Sequence, residues 1–311
     1  MDCFFHNCRT QTDINGKTLG FTKAQKHNMD IKDGLAIYRI GKGQPVLLMP
    51  YPHASAYHSM SKSLLVPILN NFGFSVLTFD PPGIYNSTRE ADVTLDEMLK
   101  CTNELLDYYS IKDSIMVIGH SQSGFCSIAY SIEYPERVKS LILIGAVSGW
   151  PMIKKSSIHK QFSWFSCERW KMMYWGTRKM INMSNLLIHK KLDQLVENYS
   201  YYDKTLVYEI QFDKSDRKIS EPIRAKWMVN LRKYNYDYSN RLREIDIPVL
   251  ICVGKHDPQT PVEANMELKN KISTSIIEVF DYSGHSPLIK EKDKFIKLLD
   301  EWIKDPVQYA K

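Results

Sequence analysis

Short apolar runs alternate with helix-length segments over most of the chain. Val46–Leu48, Ser114–Ile118 and Pro248–Val253 are continuous apolar stretches, a pattern typical of strands buried on both faces of a sheet. The run from Ser275 to Asp281 is rich in β-branched residues and predicts a further strand. This alternation predicts an α/β core.

The strand pattern is interrupted once. Strand and helix signals alternate up to Trp150, stop over residues 151–240, and resume over residues 241–311 with two strands and a closing helix from Lys290. We therefore expect a core in two parts, 1–150 and 241–311, with a helical insert between them. Residues 1–30 are expected to form a polar leader, in a position to cover an edge of the sheet. A hydrophobic content of 43% in 311 residues is ample for such a core.

The segment Gly119–Gly124, with the sequence GHSQSG, stands between a predicted strand and a predicted helix. Ser114–Ile118 precedes it, and the helix-length stretch Phe125–Tyr134 is followed by Pro135, which cannot continue a helix. A serine on a sharp turn of this kind has the geometry of a nucleophile elbow, with its hydroxyl out of the sheet and free helix N–H groups nearby. We therefore predict that Ser121 is a nucleophile.

A serine nucleophile needs a base and a group that orients the base, and both residue types follow later strands. Asp257 follows the strand predicted at Pro248–Val253, and His285 follows the next one. A rival acid would follow the preceding strand, but residues 141–150 contain no Asp or Glu. This order predicts a catalytic triad in which Asp257 and His285 serve Ser121.

With these motifs in this order, the chain resembles the α/β-hydrolase-fold superfamily, and within it the capped serine hydrolases of the esterase and proline-iminopeptidase type. Asp33–Arg39 resembles the early hairpin strand of the superfamily, Phe79–Gly83 its Asp-x-x-Gly turn, and Tyr134–Leu141 the lead into its sixth strand. The resemblance extends from about residue 31 to residue 302. It implies a mostly parallel, doubly wound sheet with a helical cap at 151–240, and it gives the triad the roles of nucleophile, orienting acid and base.

The oxyanion loop departs from the pattern of the superfamily. Where relatives have His-Gly after the third strand, this chain has Met49 and Pro50, and Tyr51 occupies the position whose backbone N–H donates. Pro50 has no N–H, but the matching glycine is not normally the donor. The resemblance therefore implies an oxyanion hole built from the backbone N–H groups of Tyr51 and Gln122. Ser123, which replaces the last glycine of the elbow pattern, is interpreted as structural.

The predicted cap is basic and aromatic. Residues 151–240 contain 17 Lys and Arg against 9 Asp and Glu, although the net charge of the whole chain is only +6. A solvated basic face explains this balance, and steering of an anionic substrate is the sharper alternative. Most of the aromatic residues are expected to pack the cap onto the core. If part of them lines an apolar pocket, Trp164, Trp170 and Trp175 are the predicted substrate-binding residues.

The remaining composition narrows the class of protein. The six cysteines have no metal or disulfide spacing, and no apolar run is long enough to span a membrane. The chain starts without a signal-peptide pattern, so we expect a cytoplasmic protein. We expect no cofactor, no metal site and no nucleic-acid partner, with a small acyl compound as substrate. The oligomeric state stays open.

The function predicted from the sequence is a serine hydrolase that cleaves a carboxylic ester or a related acyl compound through an acyl-enzyme. A proline-iminopeptidase-like amidase is one alternative, although the chain lacks the Gly-Gly-Pro-Gly oxyanion loop of those relatives. A C–C bond hydrolase uses the same triad and is another. A non-catalytic receptor that keeps the triad to hold a small ligand is the alternative from a different class, and turnover separates it from an enzyme.

Overall fold

One eight-stranded sheet organises the chain. The structure, a computed structural model, describes residues 27–54, 65–153, 170–171, 173–174, 177–178, 214–257 and 259–309. The strands are β1 (His27–Lys32), β2 (Leu35–Ile40), β3 (Gln44–Leu48), β4 (Phe74–Phe79), β5 (Ile115–His120), β6 (Val138–Ile144), β7 (Val249–Gly254) and β8 (Ser275–Phe280). Their order across the sheet is β1-β2-β4-β3-β5-β6-β7-β8.

The sheet is mostly parallel. Strands β3 to β8 pair in parallel, whereas β2 runs antiparallel to both β1 and β4. In the centre, Val117 of β5 pairs with Leu47 of β3 on one side and Leu141 of β6 on the other. Because parallel strands end at the same edge, the loops after β3, β5, β6, β7 and β8 meet there.

Helices cover both faces of the sheet. The described helices are α1 (Leu65–Asn71), α2 (Leu95–Tyr108), α3 (Gln122–Glu133), α4 (Trp150–Ile153), α5 (Lys214–Lys233), α6 (Val262–Lys271), α7 (Pro287–Lys290), α8 (Lys292–Lys304) and α9 (Pro306–Tyr309). Apolar residues of α2, α3 and α6 form one buried cluster with the sheet, and those of α1 and α8 form a second. The predicted mostly parallel, doubly wound α/β sheet is confirmed.

Local signals in the sequence account for the helix ends. Thr94 precedes α2 with an extended backbone, and its side-chain oxygen accepts a hydrogen bond from the backbone N–H of Glu97 at 3.3 Å. Such an N-cap satisfies one of the donors that a helix leaves unpaired at its start. Pro135 ends a helix, because proline cannot continue one. Helix α3 stops at Glu133, and a single 3₁₀ turn then leads into β6.

The structure differs from the sequence-based expectation at the start of the core. Strand β1 begins at His27, inside the stretch expected to be a polar leader, and it turns into β2 at Asp33 and Gly34, which both have positive φ. As an edge strand, β1 leaves Met29 46% exposed and Ile31 53% exposed. Its residues therefore show no buried apolar run from which a strand could be predicted.

The expected insert at 151–240 is described only in part. Residues 154–169, 172, 175–176 and 179–213 lie outside the described residues. The long helix α5 belongs to this insert and packs Trp227 and Leu231 into the cluster that also holds α2 and α3. No helix within the described ranges combines the length and the apolar character that crossing a bilayer requires.

Candidate active site

Ser121 stands at a strained turn between β5 and α3. Its φ is +55° and its ψ is −122°, a conformation that costs an L-residue on the order of 1–3 kcal/mol. The turn is held from both sides, because the backbone N–H of Ser121 donates to the carbonyl oxygen of Ile144 at 2.9 Å and Phe125 donates to the carbonyl oxygen of Ser121 at 3.3 Å. These two hydrogen bonds hold the serine at the carboxyl end of the sheet.

Two glycines allow the helix to approach the strand this closely. A Cβ on Gly119 would lie 2.4 Å from Oγ of Ser127 and 2.6 Å from Cα of Gly124. A Cβ on Gly124 would lie 2.6 Å from Cβ of Ala146 in the loop after β6. The tight packing position is thus Gly124, one residue beyond the place where the elbow pattern has its last glycine.

Ser123 closes the elbow with hydrogen bonds. Its Oγ donates to the carbonyl oxygen of His120 at 2.8 Å and accepts from the N–H of His120 at 2.9 Å. Its own carbonyl oxygen accepts from Ser127 at 2.8 Å. These contacts are structural in kind, as the sequence predicts for this position.

Asp257 and His285 form a hydrogen-bonded pair. Oδ2 of the buried Asp257 lies 2.8 Å from Nδ1 of His285, and it also accepts from the hydroxyl of Thr260 at 2.6 Å. The other oxygen, Oδ1, accepts from the backbone N–H groups of Gln259 at 2.8 Å and Thr260 at 3.0 Å. An ionised carboxylate only accepts, so Nδ1 of His285 carries the proton of this hydrogen bond.

The pKa of Asp257 lies below its usual range. Burial by itself would raise the pKa of this carboxyl, but the charge of a protonated His285 and the hydrogen bonds from His285 and Thr260 lower it further than burial raises it. Asp257 is therefore ionised at neutral pH, which is the state that holds the imidazole in one tautomer.

Gly145 connects Ser121 to this pair. It follows Ile144, whose carbonyl oxygen receives the N–H of Ser121, and its φ is +51°. A Cβ at Gly145 would lie 3.0 Å from Oδ2 of Asp257 and 3.3 Å from Nδ1 of His285. The end of β6 thus stands between the serine and the acid–base pair, and the structure brings all three predicted triad residues to one edge of the sheet.

Tyr51 and Gln122, whose backbone N–H groups are the predicted oxyanion donors, lie in the loop after β3 and at the start of α3. Tyr51 follows β3 in a loop that leaves the sheet after the N–H of Met49 donates to the carbonyl oxygen of Ile118 at 2.9 Å. Gln122 is the first residue of α3, whose leading N–H groups have no partner within the helix. The side-chain hydroxyl of Tyr51 is hydrogen-bonded to Nδ1 of His120, a contact that the sequence does not reveal.

Helix α5 contributes the insert residues that contact this site within the described ranges. Nε2 of Gln122 lies 3.6 Å from Sδ of Met228, and Cδ1 of Ile223 lies 3.5 Å from where a Cβ on Gly83 would be. Ile223, Trp227 and Leu231 recur at helical spacing, so the inward face of α5 is readable from the sequence. Its contact with Gln122 is not.

The structure describes one of the three tryptophans that are predicted to bind substrate. Trp164 and Trp175 lie outside the described residues, and Trp170 is 55% exposed in a helical stretch. Their role stays a prediction.

His53 adds a neutral ring near α5. Burial, together with the positive charge of Arg224, lowers the pKa of His53 to about 3, so its imidazole is uncharged at neutral pH. Within the described residues, no three His, Cys, Asp or Glu side chains are arranged to hold a metal ion.

Comparison with known proteins gives one family. The family model described as the alpha/beta hydrolase fold matches residues 51–205. A proline iminopeptidase from Saccharolobus solfataricus is 27% identical over 262 residues, which cover 78% of this chain and 81% of that protein. A 2-hydroxy-6-oxononadienedioate/2-hydroxy-6-oxononatrienedioate hydrolase from Pseudomonas putida is 25% identical over 303 residues, covering 92% of this chain and 97% of that protein.

Solved structures agree on the fold. An alpha/beta fold family hydrolase from Bacillus anthracis str. Sterne superposes with a TM-score of 0.72 at 18% identity, covering 89% of this chain and 99% of its own. An esterase from Exiguobacterium antarcticum gives a TM-score of 0.64 at 21% identity, covering 91% and 100%. The sheet order, the strained turn at Ser121 and these matches lead to one conclusion: the chain belongs to the α/β-hydrolase superfamily.

Proposed function

We propose that this protein is a serine hydrolase that cleaves a carboxylic ester or a related acyl compound through an acyl-enzyme. The observation that carries the proposal is the pair of Asp257 and His285, 2.8 Å apart, at the same sheet edge as the strained turn of Ser121. An ionised acid, an imidazole oriented through its Nδ1, and a serine on an elbow are the parts that nucleophilic acyl transfer requires.

The reaction proceeds in two halves. His285 takes the proton of Ser121 through Nε2 while Oγ attacks the acyl carbonyl, and Asp257 stabilises the imidazolium that forms. The imidazolium then protonates the leaving group, and the acyl group remains on Ser121. Water attacks the acyl-enzyme with His285 as base again, which releases the acid and restores the serine.

The backbone N–H groups of Tyr51 and Gln122 bind the oxyanion in this proposal. The amide of Gln122 is at the start of α3, where free N–H groups and the helix dipole both favour negative charge. Donors fixed before the reaction lower the barrier because they do not reorganise as charge develops.

The sequence of the oxyanion loop supports the choice of the bond that is cleaved. The chain lacks the Gly-Gly-Pro-Gly loop expected of a proline-iminopeptidase-like amidase, so we place the ester first. A C–C bond hydrolase is the second candidate, because similarity to the Pseudomonas putida hydrolase extends over 92% of this chain. All three reactions share the elbow and the acid–base pair.

We further propose that residues 151–240 form a cap over this edge and that the enzyme works in the cytoplasm. Contacts of α5 with Gln122 and Gly83 support a roof above Ser121. Cys101, Cys126 and Cys252 are buried free thiols, which suits a reducing compartment.

The first experiment measures hydrolysis of p-nitrophenyl esters from acetate to long-chain acyl groups, beside a proline p-nitroanilide and a vinylogous 1,5-diketone. Ser121→Ala should abolish turnover of esters, and Asp257→Asn should lower kcat by about 10⁴-fold because the imidazole loses its tautomer. Ser131→Ala is the matched control, since the hydroxyl of Ser131 only donates to the carbonyl oxygen of Ser127 on α3.

Labelling with a fluorophosphonate tests the nucleophile without a known substrate. The wild type and Ser131→Ala should take up one probe per chain at Ser121, and Ser121→Ala should take up none. Turnover of the nitroanilide or the diketone in place of the esters would replace the ester proposal with the amidase or the C–C hydrolase. Absence of both turnover and labelling in the wild type would leave a ligand receptor.

A further inference from the structure

His120 touches two loops that the proposed reaction uses. Its Nδ1 is hydrogen-bonded to the hydroxyl of Tyr51, and its Nε2 lies 2.8 Å from the backbone carbonyl oxygen of His285. The rings also pack together: the centroid of His120 is 4.7 Å from that of His285 and 5.8 Å from that of Tyr51. One side chain therefore joins the loop after β3 to the loop after β8.

The chemistry of the partners fixes the direction of both hydrogen bonds. A carbonyl oxygen only accepts, so Nε2 of His120 carries a proton. Burial and the neighbouring His285 lower the pKa of His120 to about 3, so the ring is neutral at pH 7 and has a single N–H. Nδ1 is then a bare acceptor, and the hydroxyl of Tyr51 donates to it.

We propose that His120 and Tyr51 are positioning residues that fix the distance between the oxyanion donor and the general base. This inference rests on the proposed function, in which the backbone N–H of Tyr51 binds the oxyanion and the imidazole of His285 moves the proton. His120 does not meet the substrate. It acts by tying the Tyr51 ring to the main chain of His285.

The position of Tyr51 in the fold supports this role. The last backbone hydrogen bond between β3 and β5 runs from the N–H of Met49 to the carbonyl oxygen of Ile118 at 2.9 Å. Tyr51 lies two residues beyond Met49. Proline on either side of Tyr51 limits the backbone of the loop. The bond from its ring to His120 then anchors the loop to β5, next to Ser121, so that donor, nucleophile and base share one support.

Two variants break the same link from opposite ends. Tyr51→Phe removes only the hydroxyl and keeps the backbone N–H. His120→Gln keeps an N–H that can reach the carbonyl of His285 but removes Nδ1, the atom that accepts from Tyr51. Each should lower kcat roughly 10- to 100-fold with KM changed less than about twofold, because a donor displaced by a fraction of an ångström stabilises the transition state less than the substrate complex.

An alkylboronic acid gives a readout that a merely structural bond would not move. It forms a tetrahedral adduct on serine, so its affinity should fall by the same factor as kcat/KM in both variants. The double variant Tyr51→Phe/His120→Gln should be no worse than either single one, since both remove one shared interaction. Tyr130→Phe is the control, because it also deletes a hydroxyl but one outside the site. That hydroxyl donates to Oδ1 of Asn103 at 2.7 Å, and its loss should leave kcat and boronate affinity unchanged.

Three outcomes would overturn the positioning role. Wild-type kcat and boronate affinity in Tyr51→Phe would do so, as would additive losses in the double variant. A lower melting temperature with unchanged kcat would show that the bond serves stability alone. If the wild-type protein itself neither turned over an acyl substrate nor reacted with a fluorophosphonate at Ser121, the proposed function would fail first, which separates that failure from one seen only in the variants.

Discussion

The hydroxyl of Thr260 donates to Oδ2 of Asp257 at 2.6 Å, the same oxygen that lies 2.8 Å from Nδ1 of His285. Thr260 also donates its backbone N–H to Oδ1 at 3.0 Å, so one residue supplies a donor to each carboxylate oxygen. Asp257 is thereby held in place by a neighbour three positions along the chain as well as by the base it orients.

Thr260→Val should weaken this arrangement without changing its shape. The variant keeps the backbone N–H but loses the hydroxyl, and a hydrogen bond to a charged group contributes about 1.5–3 kcal/mol. We expect a lower free energy of unfolding at neutral pH, a higher pKa for Asp257, and a lower kcat. Urea denaturation and kcat between pH 4 and 8 measure these effects. Thr260→Ser should restore most of the free energy of unfolding and most of kcat. A Thr260→Val variant equal to wild type in both would contradict the role of this hydroxyl.

Replacing Ser121 by glycine should give a more stable protein than replacing it by alanine. Relief of the positive φ contributes about 1–3 kcal/mol, whereas the extra freedom of glycine in the unfolded chain costs only about 0.4–1 kcal/mol. Both variants lack the hydroxyl and should be inactive, so the comparison isolates the backbone. Thermal unfolding of the pair checks it, and a melting temperature for Ser121→Gly at or below that of Ser121→Ala would exclude strain at the elbow.

A methyl group at position 124 should be tolerated only if one is removed from position 146. A Cβ on Gly124 would lie 2.6 Å from that of Ala146, and overpacking of a tight contact costs about 1–3 kcal/mol. Gly124→Ala should therefore destabilise the protein, and the double variant Gly124→Ala/Ala146→Gly should recover part of the loss. A double-mutant cycle by denaturant unfolding measures the coupling between the two sites, and strictly additive values would argue against direct contact.

Acid should destabilise the protein through two partly buried histidines. The pKa values of His53 and His120 fall from 6.5 to about 3 on folding, so between these values the unfolded chain binds protons that the folded chain does not. The free energy of unfolding should thus be constant above pH 6.5 and fall as the pH drops toward 3, by about 1.4 kcal/mol per pH unit for each histidine. Asp257 acts in another window: its lowered pKa contributes stability that is present above 3.8 and is lost below it.

Urea titrations between pH 4 and 8 test this dependence. His53→Leu removes one of the two titrating rings, so its slope below pH 6 should be smaller than that of the wild type by about one proton. An unchanged slope would mean that His53 is already protonated in the folded protein. Lys139→Ala, on the exposed side of β6, is a control that should leave the slope as it is.

The parts of the site that follow buried strands could be predicted from the sequence, because apolar runs reveal such strands and parallel strands end at one edge. Ser121 and Asp257 are of this kind, whereas His285 follows the β-branched run of the half-buried edge strand β8, and the catalytic roles of all three stay predictions. The bonds of Thr260 and His120 could not be predicted, because they depend on how side chains of separate loops meet in space. Strand β1 was missed because an edge strand with exposed Met29 and Ile31 lacks the apolar run of a central one.

The pairing of β6 with β7 has a consequence for how the molecule matures. About 100 residues separate these neighbouring strands in the chain, and closing a loop of that length costs entropy that only the finished contacts offset. During synthesis the elbow of Ser121 leaves the ribosome well before β7 and β8, the strands that Asp257 and His285 follow. If Asp257 and His285 activate Ser121 as proposed, a nascent chain carries its serine before it has the groups that activate it, and reactivity has to wait for the pairing of β6 with β7.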